Sequence, residues 1–188
     1  MRSPALWLGC VLLTLACRPS TTRPPITPYP EAAGSEVRLP VPEATRRLAE
    51  ALRADSIPVR TVRLRDGYIE TRWFLARTGR RPAGRPLGTG VVRIRAWADP
   101  ARPGSAQLTV ETLYRPLVDP SLPERELERE VPRGHPVAIR VEGVLKKLVD
   151  RYGGSPGPQV EAAPTRGREP AEGEQPEPEL PDQSDESQ

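Results

Sequence analysis

Val59-Arg60-Thr61-Val62-Arg63-Leu64-Arg65-Asp66-Gly67-Tyr68-Ile69-Glu70-Thr71-Arg72-Trp73-Phe74 decides the fold class. Val62 and Leu64 fall on one side of an extended chain, and Arg63 and Arg65 on the other, the period-two signature of a half-covered strand. Asp66-Gly67 then supplies a pair suited to a type I′ turn, whose two central residues both take positive φ. The chain returns with Ile69, Thr71 and Trp73 on the less charged face. A β-hairpin is expected, and with it an antiparallel sheet.

Two more strands widen that sheet. In Val91–Ala98, Val92, Ile94, Ala96 and Ala98 oppose Arg93, Arg95 and Trp97; in Ala106–Tyr114, Leu108, Val110, Thr112 and Tyr114 oppose Gln107, Thr109 and Glu111. Such one-sided alternation predicts a sheet covered on one face and wet on the other. The cover is expected from two amphipathic helices. The first runs from Ala44 to Ala54, with Pro42 and Glu43 at its opening and Ser56 to Pro58 breaking it. The second repeats Val137, Val141, Val144, Leu145, Leu148, Val149 and Tyr152, between Pro136 and Gly153-Gly154. Val37–Leu39 reads as a short strand ended by Pro40, and Glu124 to Glu130 as one helical turn or two within a charged connection. The expected class is α+β: an antiparallel sheet of about four to five strands, packed by a long C-terminal helix and a shorter N-terminal one.

A length of 188 residues with 25 Pro allows one ordinary domain plus tails and excludes a large multi-domain enzyme. The expected division is a signal peptide over 1–16, Cys17 with a Pro-rich tether over 17–35, the α+β domain over 36–153, and a disordered acidic tail over 154–188. From 153 onward nine acids face Arg166 and Arg168, a net of −7, whereas residues 18–152 carry +9. A basic body on an acidic tail suggests anionic partners or competition by the tail. Arg outnumbers Lys 26 to 2 and Asn is absent, so part of that basicity is compositional habit. No basic run is interleaved with stacking aromatics, and nucleic acid is not an expected partner.

Reactive constellations are scarce. Two Cys exclude a disulfide scaffold and a CxxC metal cluster, and His135, the single histidine, excludes a His-rich zinc site. Its place between Gly134 and Pro136 suits a surface or capping residue. Gly88-Thr89-Gly90 lacks the Lys of a P-loop and the spacing of a dinucleotide fingerprint. Glu70 and Glu111 share a sheet face and in principle could do acid–base work. Arg63, Arg65, Arg72, Arg93 and Arg95 sit on the same face, however, and neighbouring cations lower a carboxylate pKa, so cross-strand ion pairs are the plainer reading. No catalytic residue, metal ligand, cofactor or small-molecule substrate is expected, and the chain is not expected to be an enzyme. The binding candidates are Trp97 with Arg93 and Arg95 on the open sheet face, and the loop arginines Arg77, Arg80, Arg81 and Arg85. A groove beside the long helix is a second possible contact.

The N-terminus carries an address. Arg2 precedes the apolar run Ala5 to Ala16, too short at 12 residues to cross a bilayer, and Cys17 follows it. Leu13-Thr14-Leu15-Ala16-Cys17 resembles the lipobox of bacterial lipoprotein signal peptides, with Thr14 in place of the more usual Leu. The resemblance implies cleavage before Cys17, acylation of its sulfur and of its new amino group, and, with no Asp after it, the outer membrane facing the periplasm. An ordinary secretory peptide with an incidental Cys is the alternative. Residues Ala44 to Leu52, Ile57-Pro58-Val59 and Asp66 to Trp73 together resemble the helix-grip domains of BamC-type outer-membrane accessory lipoproteins. That likeness implies a non-catalytic periplasmic adaptor. The expected function is therefore a lipid-anchored cell-envelope protein with a binding or scaffolding domain and a protein partner in the envelope. The alternatives are a binder of anionic envelope polymer or lipid head groups through the basic loop and sheet, and, third, a hydrolase.

Overall fold

The structure, a computed structural model, describes residues 21–156. The leader, Cys17 and the tail beyond Pro156 lie outside the described residues. Along the chain come β1 (Ala33–Val37), α1 (Val41–Ala54), β2 (Val59–Arg63), β3 (Tyr68–Thr71), β4 (Phe74–Leu75), β5 (Val91–Pro100), β6 (Ala106–Tyr114), α2 (Glu124–Leu127), β7 (Arg129–Glu130), α3 (Pro136–Tyr152) and β8 (Gly154–Pro156).

The class is α+β with an antiparallel sheet, ordered β2-β3-β5-β6-β1-β8, with β4 beside β5 and β7 beside β6. The sheet has eight strands, not the expected four to five. The surplus is β4, β7 and β8, pieces of two or three residues, too short to show alternation. β1 also starts earlier than Val37–Leu39 suggested, pairing Ala33 with Val110 and Val37 with Ala106.

Both long helices lie on one face. Val92, Ile94, Ala96 and Ala98 of β5 and Leu108 and Val110 of β6 meet Ala44, Leu48 and Leu52 of α1 and Val137, Val141, Val144, Leu145 and Leu148 of α3, all in one buried cluster. At about 25 cal/mol per Å² of apolar area removed from water, this cluster is the chief stabiliser of the domain. His135 caps α3: its Nδ1 accepts from Val137 N at 3.2 Å, so Nε2 holds the proton and donates to Thr89 O at 3.0 Å.

The hairpin forms, but not around a two-residue turn. Arg63 pairs with Tyr68, leaving a four-residue loop in which Gly67 alone has positive φ, 62°. Gly67 is pressed against β5: its carbonyl accepts from Ala98 N at 2.7 Å, and a Cβ there would lie 2.0 Å from Ala98 O. Asp66 has no positive φ, and its carboxylate accepts from Thr22, through the backbone N at 3.1 Å and through the hydroxyl. Strand pairing with β2 also stops at Thr71, and Trp73 turns to the charged face rather than joining Ile69 and Thr71.

Candidate functional site

The charged sheet face, expected to be wet, is roofed. Residues 22–31 run across it from the Asp66 loop, and the connection holding α2 and β7 closes it from the other side. Arg23 pairs with Asp99 at 2.6 Å. Tyr29 donates its backbone N–H to Glu111 at 2.7 Å and its hydroxyl to the carbonyls of Glu128 and Arg125 at 3.0 and 3.3 Å. The Arg125 guanidinium stacks 3.9 Å from the Tyr29 ring centroid and donates to Thr27 O at 2.8 Å. The stretch expected as a spacer thus serves, from Thr22 onward, as part of the domain.

Under this roof sits an ion-pair network. Arg95 grips Glu128 with two hydrogen bonds, at 2.5 and 3.0 Å, and reaches Glu70 at 3.3 Å. Arg125 holds Glu111 in the same forked manner, at 2.8 and 2.9 Å. Arg93 bridges Glu70 at 2.7 Å, Glu124 at 3.0 Å and Glu128 at 3.4 Å, and Arg115 also pairs with Glu124. Four arginines thus meet four glutamates, and the side chains of Glu111 and Glu128 have no exposure at all. Burial works against the charge on Arg95, but the hydrogen bonds and attraction of Glu128 more than reverse it, so its pKa lies above the ordinary guanidinium value.

Trp97 points to this face, as its strand register requires, but is 1% exposed, stacked edge-on against Tyr68 with ring centroids 5.9 Å apart. Burial pushes the Tyr68 hydroxyl up to about 12. Trp97, Arg93 and Arg95 therefore cannot act as an open contact face. Trp97 and Arg95 are closed in, and Arg93 is committed to three carboxylates. Glu70 and Glu111 do share this face, on the strands either side of Arg95, and both are held in ion pairs as expected: Glu70 by Arg93 and Arg95, Glu111 by Arg125, with Tyr29 N donating to it as well.

The other four binding candidates are placed quite differently. Arg77, Arg80, Arg81 and Arg85 are all exposed on the loop 76–90, which contains no acid. Among the described residues none of them has a salt-bridge partner. Gly88 N donates to Arg115 O at 2.7 Å, which joins this loop to the segment after β6, and His135 ties α3 to Thr89. One end of the domain is thereby assembled from loop 76–90, loop 115–123 and the first turn of α3. It carries every exposed large hydrophobic among the described residues: Leu87, Leu117, Val118, Leu122 and Ile139. Spaced over 50 positions, these residues show no periodicity, so the sequence offered no sign that they gather.

A groove of about 340 Å³ lies between α1 and α3, floored by Ala51, Ala54, Val144 and Leu148 and edged by Arg47, Lys147, Arg151 and Tyr152. Arg47 is taken by Glu43 and Glu50, and Asp55 by Arg140. A small recess beside β7 holds Glu130, whose carboxyl is pushed up to about 7 by burial and by the charges of Glu111 and Glu31. Among the described residues no cluster of His, Cys, Asp and Glu could hold a metal ion, and no helix is long and apolar enough to cross a membrane. Neither the family models, nor the curated proteins, nor the solved structures contain a match to this chain.

Proposed function

We propose that the chain is a lipid-anchored protein of the cell envelope, held at the outer membrane through Cys17 and facing the periplasm, whose domain is a non-catalytic binding or scaffolding module. Its contact surface is the end built from loop 76–90, loop 115–123 and the start of α3. One observation carries this reading: every exposed large hydrophobic among the described residues gathers at this end, beside four exposed arginines that have no salt-bridge partner among those residues. A cluster of exposed apolar side chains on an otherwise polar surface marks an interaction site, and arginine is enriched in protein contacts. The helix-grip likeness to BamC-type accessory lipoproteins adds support, since α1 and α3 both pack on one face of an antiparallel sheet. Fold likeness alone does not transfer function.

The test is photo-crosslinking in intact cells from Leu117 and, as control, from Arg102 at the opposite end. A defined partner captured from Leu117 and lost with Leu122→Ser and Ile139→Ser supports the reading; equal capture from both ends refutes it. The anchor is tested separately, because Cys17→Ser should move the protein from the detergent phase to the soluble periplasm.

A second reading is favoured by the acid-free loop: recognition of an anionic envelope polymer or lipid head group by its four arginines. The part of that reading that used the sheet face is withdrawn, since Arg93 and Arg95 face inward. Affinity falling steeply with salt, and lost when the four arginines become Ala, would select it over a protein partner.

A further inference from the structure

We infer that the chain's own acidic C-terminal segment, residues 157–188, docks on the arginine loop 76–90 and screens the contact surface assigned above. The inference rests on that assignment for its biological meaning, but not for its test.

The first ground is where the segment leaves the domain. β8 pairs with β1 from Val37↔Gly154 to Ser35↔Pro156. β1 runs toward the Asp66 end, so β8 runs the other way and delivers residue 157 toward the end that carries loop 76–90. The second ground is reach. Three strand spacings of ~4.8 Å separate β8 from β5, and the seven residue steps from Ala98, level with Pro156, to Val91 add ~23 Å along the strands. Thirty-two residues with the dimensions of a random coil would span ~30 Å on average, enough to cover that path.

The third ground is charge. The segment carries nine acids against Arg166 and Arg168, and Glu172, Glu174, Glu177 and Glu179 recur every two or three positions. Loop 76–90 carries four arginines and no acid. The groove between α1 and α3 is the poorer host, since Glu50 and Asp55 line it beside its cations. Attachment to the same chain supplies a local concentration in the millimolar range, so weak, exposed charge pairs suffice to populate the docked state. A partner must then displace the segment, and acidic partners compete with it directly.

The experiment uses the processed chain, residues 17–188, with Cys17→Ser and a nitroxide on Ser184→Cys. At low salt, amide signals of loop 76–90 should weaken to about half or less. They should recover near 1 M salt, where the screening length is ~3 Å. The same recovery is expected in Arg77→Ala/Arg80→Ala/Arg81→Ala/Arg85→Ala. Glu172→Gln/Glu174→Gln/Glu177→Gln/Glu179→Gln lies outside the described residues and should also restore the signals. No weakening at low salt overturns the inference, as does weakening centred on α1 and α3 or unchanged by either variant. Since no partner is present, failure of the contact-site reading leaves this measurement intact, and the crosslinking from Leu117 reports on that reading separately.

Discussion

Replacing Arg95 with Met separates a roofed ion network from a solvated one. Arg95 is 4% exposed, and the Glu128 side chain it grips has no exposure. Met fills much of the arginine stem's volume, so the loss is mainly of charge and hydrogen bonds. Glu128 keeps Arg93 at 3.4 Å and Arg125 at 3.9 Å, neither in forked geometry. Removing one partner of a buried pair typically costs about 3–5 kcal/mol, because the other charge is left without compensation. An exposed pair contributes about 0–1 kcal/mol. Urea denaturation of the processed chain with Cys17→Ser should therefore show Arg95→Met losing at least ~3 kcal/mol. Arg95→Met with Glu128→Leu should recover most of that, since an apolar replacement of both partners removes the stranded charge. A single-variant loss below ~1 kcal/mol would mean that water reaches this face and that the roof of residues 22–31 and α2 is not closed.

Three other outcomes follow from the same geometry. Glu130 holds a proton in the folded chain between its ordinary value of 4.5 and about 7, so its contribution to stability is full below pH 4.5 and is lost as pH rises to 7. Glu130→Gln should therefore gain on the parent chain by ~1–3 kcal/mol more at pH 8 than at pH 4.5, read from urea midpoints at the two pH values; an equal difference at both would refute the shift. Trp73→Phe leaves Trp97 as the single Trp of the processed chain, and its emission should be blue-shifted and barely quenched by acrylamide, whereas an exposed Trp97 would be quenched freely. Gly67→Ala places a Cβ at positive φ against Ala98 O and should lower stability by roughly 1–3 kcal/mol in the same urea assay.

What the sequence disclosed follows the physics of each signal. β6 begins and ends where the alternation from Ala106 to Tyr114 placed it, and α3 carries the stripe from Val137 to Leu148 into the core. Both are long, and a repeated period outweighs local noise. The strand directions of Arg93, Arg95 and Trp97 were also legible, because side chains alternate strictly along a strand. Their burial was not. The groups that cover them lie in segments without periodicity: Tyr29 among prolines, and Leu127 and Glu128 inside a charged connection. Proline and charge there read as solvent-facing by composition, and only the isolated Tyr29 and Leu127 hinted that something packs. The Asp66-Gly67 turn also differs from expectation: Gly67 alone has positive φ, and Thr22, 44 positions away, binds the Asp66 carboxylate.

The path of residues 22–31 over the sheet shortens the leash of the proposed anchor. Thr22, whose backbone and hydroxyl are bound by Asp66, lies five positions from Cys17, at most ~17 Å of extended chain. A fatty-acylated Cys17 would then hold the Asp66 and Asp99 end close over the lipid head groups and stand the molecule upright, with its arginine crown turned into the periplasmic space.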